Sequence, residues 1–332
     1  MTSLSRVQPT AKEQPRVDII ILDWNRPDST ILAIRSALAQ TGVDRTIWVV
    51  DQGSEPAHRA RLARFCEDHP EVKTHWLGRN VGVAAGRNIA SALGDAPYIV
   101  SLDNDAVFGD NECVARAITR FEAQPELGAV AFRVLDADTG SEHAYWDYPQ
   151  ALLHAEIPSF EVTRFLGGGH AMRREAFECA GRYDERLFFG GEERDVAWRM
   201  LNKGYKLRLF RDLAVLHMSV TDSKLQWNDR RYFFLVRNSL YINHKYGAGP
   251  RGFARGALSF TLRGARNGLC SAAMRGIAAG LVMSIQFSLN PQEHAPYRLS
   301  PELRRYIDET DQKTQESYFH KLRRQLTPLP KL

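Results

Sequence analysis

Val17-Asp-Ile-Ile-Ile-Leu22, closed by Asp23-Trp24-Asn25-Arg26-Pro27-Asp28, is the stretch on which the fold turns. Its β-branched run predicts a strand, Asn25-Arg-Pro-Asp28 a turn, and Ile31, Ile34 and Leu38 repeat at helical spacing within residues 29–40. Outward from it the same unit returns three times: residues 46–50 then 57–67, 72–76 then 83–93, and 98–102 then 111–123. Strands that alternate with helices pair in parallel and are covered on both faces, so the first 135 residues predict an α/β fold with a mostly parallel sheet flanked by helices.

Such sheets bind ligands beyond the carboxyl ends of their strands. The polar residues there are Asp23, Asn25 and Arg26 after the first strand, Asp51 and Ser54 after the second, Arg79 and Asn80 after the third, and Asp103, Asn104 and Asp105 after the fourth. Turn chemistry explains a single Asn, Asp or Ser in any strand-to-helix loop, and it is the better account of Ser54. Asp103-Asn-Asp105 asks for more. Two carboxylates one residue apart fall on the same side of an extended chain, and two hard oxygen donors facing a cleft suit a divalent cation completed by nucleotide phosphates. The spacing alone is common. Asp136-Ala-Asp138 repeats it after the apolar run 130–135, but continues into Thr139-Gly140 and reads as a turn.

Beyond residue 135 the alternation stops. Residues 136–164 are irregular and aromatic, with Tyr145, Trp146 and Tyr148, and Gly167-Gly-Gly169 reads as a close backbone approach or a tight turn into a helix at Arg173. A helix opens at Glu192-Glu193-Arg-Asp195 and runs to Lys203, with Gly204 as its stop. Acids in a first turn complement the helix dipole in any stable helix, so their presence alone does not make them chemical. Residues 205–210 and 213–216 predict two short strands, the second ending at His217, and a lone histidine at a strand end is ordinarily structural.

The 332 residues hold 44 Lys+Arg against 39 Asp+Glu, with 44% hydrophobic and 25% charged side chains, which excludes disorder, collagen-like repeats and coiled coil. Four scattered cysteines, Cys66, Cys113, Cys179 and Cys270, read as free thiols. Residues 1–16 have no apolar core and read as a disordered leader, which points to the cytoplasm. The most apolar stretch, residues 276–289, is too short to span a bilayer. The charge is uneven: from Arg230 onward there are 17 Lys+Arg and 6 Asp+Glu, which leaves a deficit of cations in the first 229 residues. Residues 250–290 interleave Arg251, Arg255, Arg263, Arg266 and Arg275 with large apolar residues, a pattern that fits either packing on the main domain or an anionic membrane surface. No nucleic-acid-binding module accompanies the charge.

Asn25-Arg-Pro27, Val49-Val-Asp51-Gln-Gly53-Ser54, Arg79-Asn80 to Arg87-Asn88, Leu102-Asp103-Asn-Asp105, Gly168-Gly169, Tyr183 to Phe189, Gly191-Glu192-Glu193-Arg-Asp195-Val-Ala-Trp198-Arg199 and His217, taken in order over residues 17–220, resemble the inverting glycosyltransferases of family 2. The resemblance implies a GT-A fold, Rossmann-like, with a nucleotide-sugar-binding half at 17–135, an acceptor-binding and catalytic half at 136–222 and a basic helical C-terminal extension at 223–332. Asp51 would then contact the base, with Asn25, Arg26, Asn80, Arg87, Asp103 and Asn104 around the donor. Asp103, Asp105 and His217 would hold Mg²⁺ or Mn²⁺. Glu193 stands where the family has its catalytic base, one methylene longer than the usual Asp, and Asp195 is the alternative.

The reaction implied is transfer of a sugar from a nucleotide-diphosphate sugar, UDP- or dTDP-linked, to a hydroxyl of a glycan or lipid-linked acceptor, by a metal-assisted single displacement in cell-surface polysaccharide synthesis. The implied setting is the cytoplasm or, peripherally, the inner face of its membrane, with a homo-oligomer allowed and nucleic acid excluded as a partner. Two other classes compete. A sugar nucleotidyltransferase would need a Gly-rich phosphate loop, and residues 22–27 contain no glycine. A non-catalytic nucleotide-sugar or glycan-binding protein would keep the fold and bind without turnover.

Overall fold

The computed structural model describes residues 13–142, 148–149, 152, 156–218 and 228–311. Among them one nine-stranded sheet forms the centre. β1 (Arg16–Asp23) lies between β2 (Asp44–Gln52) and β4 (Tyr98–Leu102), with β3 (Val72–Leu77) outside β2, all in parallel. Helices α1 (Pro27–Leu38), α2 (Pro56–Glu67) and α3 (Val83–Leu93) join them. Val17, Ile19, Ile21, Ile47, Val49, Val100 and Leu102 bury one face of this sheet, and Ile20, Val50 and Ile99 the other, as two-sided coverage requires. In the β1–β2 register Asp23 pairs with Asp51, so these two carboxylates finish level at one edge.

The structure departs from the expectations in three places. The glycine-rich stretch is a strand, β8 (Gly169–Arg173), inserted antiparallel between β4 and β6 (Leu127–Asp136), and α5 (Arg174–Cys179) follows it. A Cβ on Gly169 would lie 2.7 Å from Val215, so glycine there serves strand packing and not a turn. The two strands expected near 205–216 are one, β9 (Lys206–His217), parallel to β6. Ala131 pairs with Leu209 and Arg133 with Ala214, so the extra residues, Arg211-Asp212 among them, form a bulge and not a turn. The short β5 (Ala106–Phe108) was not foreseen; it pairs antiparallel with the end of β9, while β7 (Ser159–Glu161) pairs with its middle. α4 (Cys113–Ala123) packs below β6 and β9.

α6 (Glu192–Asn202) carries the acid-rich first turn. The C-terminal part is helical: α7 (Asp229–Lys245), α8 (Pro250–Arg266), α9 (Cys270–Ser288) and α10 (Pro301–Thr310). α9 begins six residues before the apolar stretch read from the sequence, and its 19 residues are long and apolar enough to cross a membrane. It lies instead along α7. All four cysteines are free thiols. Residues 1–12, the Tyr145-Trp146 segment and residues 312–332, on which the expected leader, part of the aromatic segment and the end of the extension fall, lie outside the described residues.

Candidate active site

The carboxyl ends of β1 and β4, with the turn before α3, open on a cleft of about 520 Å³ whose walls include Asn25, Arg26, Asn80, Asp103, Asn104 and Asp105. Loop chemistry fixes the strand ends around it. Asp51 Oδ1 accepts the backbone N–H groups of Gly53 and Ser54, both at 3.2 Å, while its buried Oδ2 has no hydrogen-bond partner among the described residues. Asn25, at φ +56°, accepts the Glu55 N–H at 2.7 Å and its own N–H donates to Ser54 Oγ at 2.8 Å, tying the first loop to the second. Asp23 is fully buried, accepting from Thr30 Oγ1 at 2.5 Å and from Asn104 Nδ2 at 3.4 Å. Burial pushes its carboxyl above the usual range despite those donors. Asn80 accepts from Gly82 N–H at 2.9 Å. Asp136 of the rejected Asp-x-Asp pair accepts from Asp138 N–H and Thr139 N–H, the turn expected of it.

The two aspartates after β4 separate. Asp103 Oδ1 accepts from Arg87 Nη2 at 2.8 Å. Asp105 Oδ2 accepts from Arg26 Nη1 at 3.0 Å, and its Oδ1 lies 3.4 Å from His217 Nε2. β5 makes that last pair: Ala106 registers with His217, and Met218 N–H donates to Asp105 O at 2.7 Å. Burial raises the Asp105 carboxyl, but His217 and then Arg26 outweigh it and leave it below its ordinary value, and the same pairing lifts His217 against its own burial. Asp103 was assigned to the metal with Asp105 and His217. Its Oδ1 meets Arg87, and among the described residues no three His, Cys, Asp or Glu side chains cluster as a metal site.

Arg87, buried in α3, is the hub. Besides Asp103 it donates to Gly167 O at 2.9 Å and, through Nη1, to Glu193 Oε1 at 2.8 Å. The candidate base and the Asp103 turn are thus held by one guanidinium, whose rigid fork can satisfy both. Glu192 is buried, with Oε2 lacking a hydrogen-bond partner among the described residues. Burial, then the charge of Glu193, pushes it up to about 8. Asp195, the alternative base, is fully buried one helical turn from Arg199, taking Arg199 Nη2 at 2.9 Å and Lys245 Nζ at 2.6 Å. It anchors α6 to α7 and is not presented to the cleft.

Sequence reasoning missed the far wall. Trp24, Phe188, Phe189, Arg230 and Phe234 line the cleft, and the last two come from α7 in the extension. Phe188, at φ +60°, stacks on Phe234 with ring centroids 5.2 Å apart, and its carbonyl accepts the Val83 N–H at 2.6 Å. The Arg230 guanidinium carbon lies 5.8 Å from the Trp24 ring and 5.9 Å from that of Phe188. Asn238 of α7 fastens the Phe188 loop, donating to the carbonyls of Leu187, Phe189 and Gly190 at 2.8, 2.9 and 2.6 Å. Phe188-Phe189 before Gly190-Gly191 was the available signal; for Arg230 there was none.

The family model for glycosyl transferase family 2 matches residues 18–181, which run from the third residue of β1 through α5 and hold the whole Asp103–Asp105 turn. The chain contains a family 2 glycosyl transferase domain. Among curated proteins it is 25% identical over 231 residues to the O-antigen biosynthesis protein RfbC of Myxococcus xanthus, and 34% identical over 168 residues to the succinoglycan biosynthesis protein ExoO of Rhizobium meliloti (strain 1021). These matches cover 64% and 50% of this chain but only 18% and 46% of those relatives, so the chain spans less than half of either. Among solved structures the mannosyltransferase PcManGT from Pyrobaculum calidifontis, in complex with GDP-Man and Mn²⁺, superposes with a TM-score of 0.58 at 19% identity, covering 93% of this chain and 87% of that one. GalNAc-T7, with UDP, GalNAc and Mn²⁺, gives 0.52 at 17% identity over 69% and 51% of the two chains. At such identities the likeness speaks for the fold, which is GT-A.

Proposed function

We propose that the chain transfers a sugar, with inversion, from a nucleoside-diphosphate sugar to a hydroxyl of a glycan or lipid-linked acceptor in the synthesis of a cell-surface polysaccharide, on the cytoplasmic side. The observation that carries this is Arg87, which holds Glu193 and Asp103 at 2.8 Å each beside a cleft walled by Asp103 and Asp105. Residues 17–135 would bind the donor and 136–222 the acceptor. Arg230 and Phe234 bring the helices after residue 222 into the same cleft.

Asp51 Oδ2, buried at the end of β2 and without a hydrogen-bond partner among the described residues, suits a base N–H. Glu193 would accept the proton of the acceptor hydroxyl as its oxygen attacks the anomeric carbon, with Arg87 fixing the carboxylate's direction. Glu192, neutral at pH 7, adds no second negative charge against that carboxylate. A carboxylate oxygen and an imidazole nitrogen 3.4 Å apart fit Mg²⁺ or Mn²⁺, so Asp105 and His217 would hold the ion, with the donor's diphosphate as further ligand. Bound there, the ion would stabilise charge on the departing diphosphate. The names of the two relatives and the Mn²⁺-bound neighbours support the product class and the metal. A nucleotidyltransferase has no support in the loop after β1, which is polar and aromatic.

The test is a transfer and donor-hydrolysis assay over a panel of UDP-, dTDP- and GDP-sugars. Glu193→Gln should lower turnover roughly a hundred- to ten-thousand-fold while diphosphate binding stays within about twofold. Unchanged turnover in Glu193→Gln, or donor binding without turnover over the whole panel, would refute the reading, the second outcome favouring a binding protein.

A further inference from the structure

α9 is built inside out. The face it lays on α7 is made of small residues, Ala272, Ala273, Gly276, Gly280 and Ser284, with Phe287 at the end. A Cβ on Gly276 would lie 2.8 Å from Val236 Cβ, and one on Gly280 3.0 Å from Arg237 O, so the two backbones are drawn close. The large apolar side chains point the other way: Met274, Leu281, Val282, Ile285 and Leu289 are between 45% and 74% exposed, and their spacing puts them on one helical face. A helix of a water-soluble core does the reverse. α9 carries one charged residue, Arg275, and α8 exposes Leu258 and Leu262 beside Arg251, Arg255 and Arg266.

We infer that the outward face of α8 and α9 docks on an anionic lipid bilayer, with α9 lying in the interface plane. Charge selects this occupant. α8 and α9 together hold Arg251, Arg255, Arg263, Arg266 and Arg275 and no Asp or Glu; Arg275 pairs with Asp229 of α7 at 3.1 Å, and no carboxylate occurs from residue 230 to 292. Lipid phosphates complement that field. A second copy of the same face would set arginine against arginine, and residues 312–332, with five Lys+Arg against Glu316, would do the same. The packing on α7 sets the depth, because the small-residue face stays on protein and only the outer half of the helix can enter the lipid. Nothing in this inference depends on sugar transfer.

The experiment is co-sedimentation of the full chain with vesicles of phosphatidylcholine alone and of phosphatidylcholine mixed with phosphatidylglycerol, with light scattering of the free protein. Partitioning should be at least about tenfold stronger on the anionic vesicles, fall as salt is raised, and drop at least about tenfold in Leu281→Glu/Ile285→Glu. Those side chains are exposed, so circular dichroism and melting temperature should not move; the salt and lipid dependence of the unaltered chain tests the inference without them. No sedimentation, equal partitioning on both lipids, variants that bind like the parent, or a stable dimer that the double substitution dissociates would each overturn it.

Discussion

At Glu192 a carboxyl is kept away from water beside a second one, and the molecule answers by keeping it protonated. Its ordinary value is 4.5 and in the fold it is pushed up to about 8, by burial first and the Glu193 charge second. The folded state therefore binds the proton more tightly than the unfolded chain. The stability this contributes is complete below about pH 4.5 and is lost as pH rises through about 8. Glu192→Gln cannot ionise, so from pH 6 to pH 8.5 the parent should lose on the order of 2 kcal/mol more than the variant in urea unfolding. Parallel pH profiles for the two proteins would show that Glu192 is not the buried acid described. Residues two apart thus do different work: Glu193 meets Arg87 and Asp195 meets Lys245, a division that the string Glu-Glu-Arg-Asp does not reveal.

The elements divide in a similar way into those with a strong local signature and those made by distant partners. The units from β1 to β4 were legible because each strand is a buried apolar run and each helix has its own periodicity; α3 and β4 begin and end where the sequence placed them. β5 is three residues long and exists because β9 pairs with it, and the polar Arg211-Asp212 inside β9 mimics a turn. α7 was read as part of a basic tail, yet it is a clamp. Its buried Lys245 pairs with Asp184 at 2.8 Å and Asp195 at 2.6 Å, joining the Phe188 loop and α6 to the C-terminal helices. Burial disfavours the Lys245 charge, but Asp195 and Asp184 outweigh it and raise its proton affinity. Lys245→Met would leave Asp195 with Arg199 and Asp184 with Arg186 as their remaining cations, and should cost about 2–5 kcal/mol in urea unfolding at pH 7. A cost under about 1 kcal/mol would mean that α7 is not clamped through this ion.

For the whole molecule, a parallel half supplies the strand-end loops of the cleft, the antiparallel β8 returns the chain beside β4 just after Gly167, β9 ends at His217 against Asp105, and α7 closes the far wall. The Asp103-Asn-Asp105 turn, Arg26, Asn80 and Asp51 were legible as strand-end residues, because an open sheet delivers such residues to one edge whatever its ligand. Arg87 as the link between Glu193 and Asp103 was not, since a buried arginine on a helix has the same local sequence as a solvated one. The aromatic wall was not legible either, because it joins residues 24, 188 and 234 through tertiary packing alone. The central claim is that this edge is a metal-assisted nucleotide site. Calorimetric titration of UDP, dTDP and GDP into the protein, with Mn²⁺ and with EDTA, on the parent and on Asp105→Ala, tests it most directly. One diphosphate should bind with Mn²⁺ and lose at least about tenfold in affinity both in EDTA and in the variant. Binding that ignores the metal and the substitution, or no binding of any of the three, would contradict it.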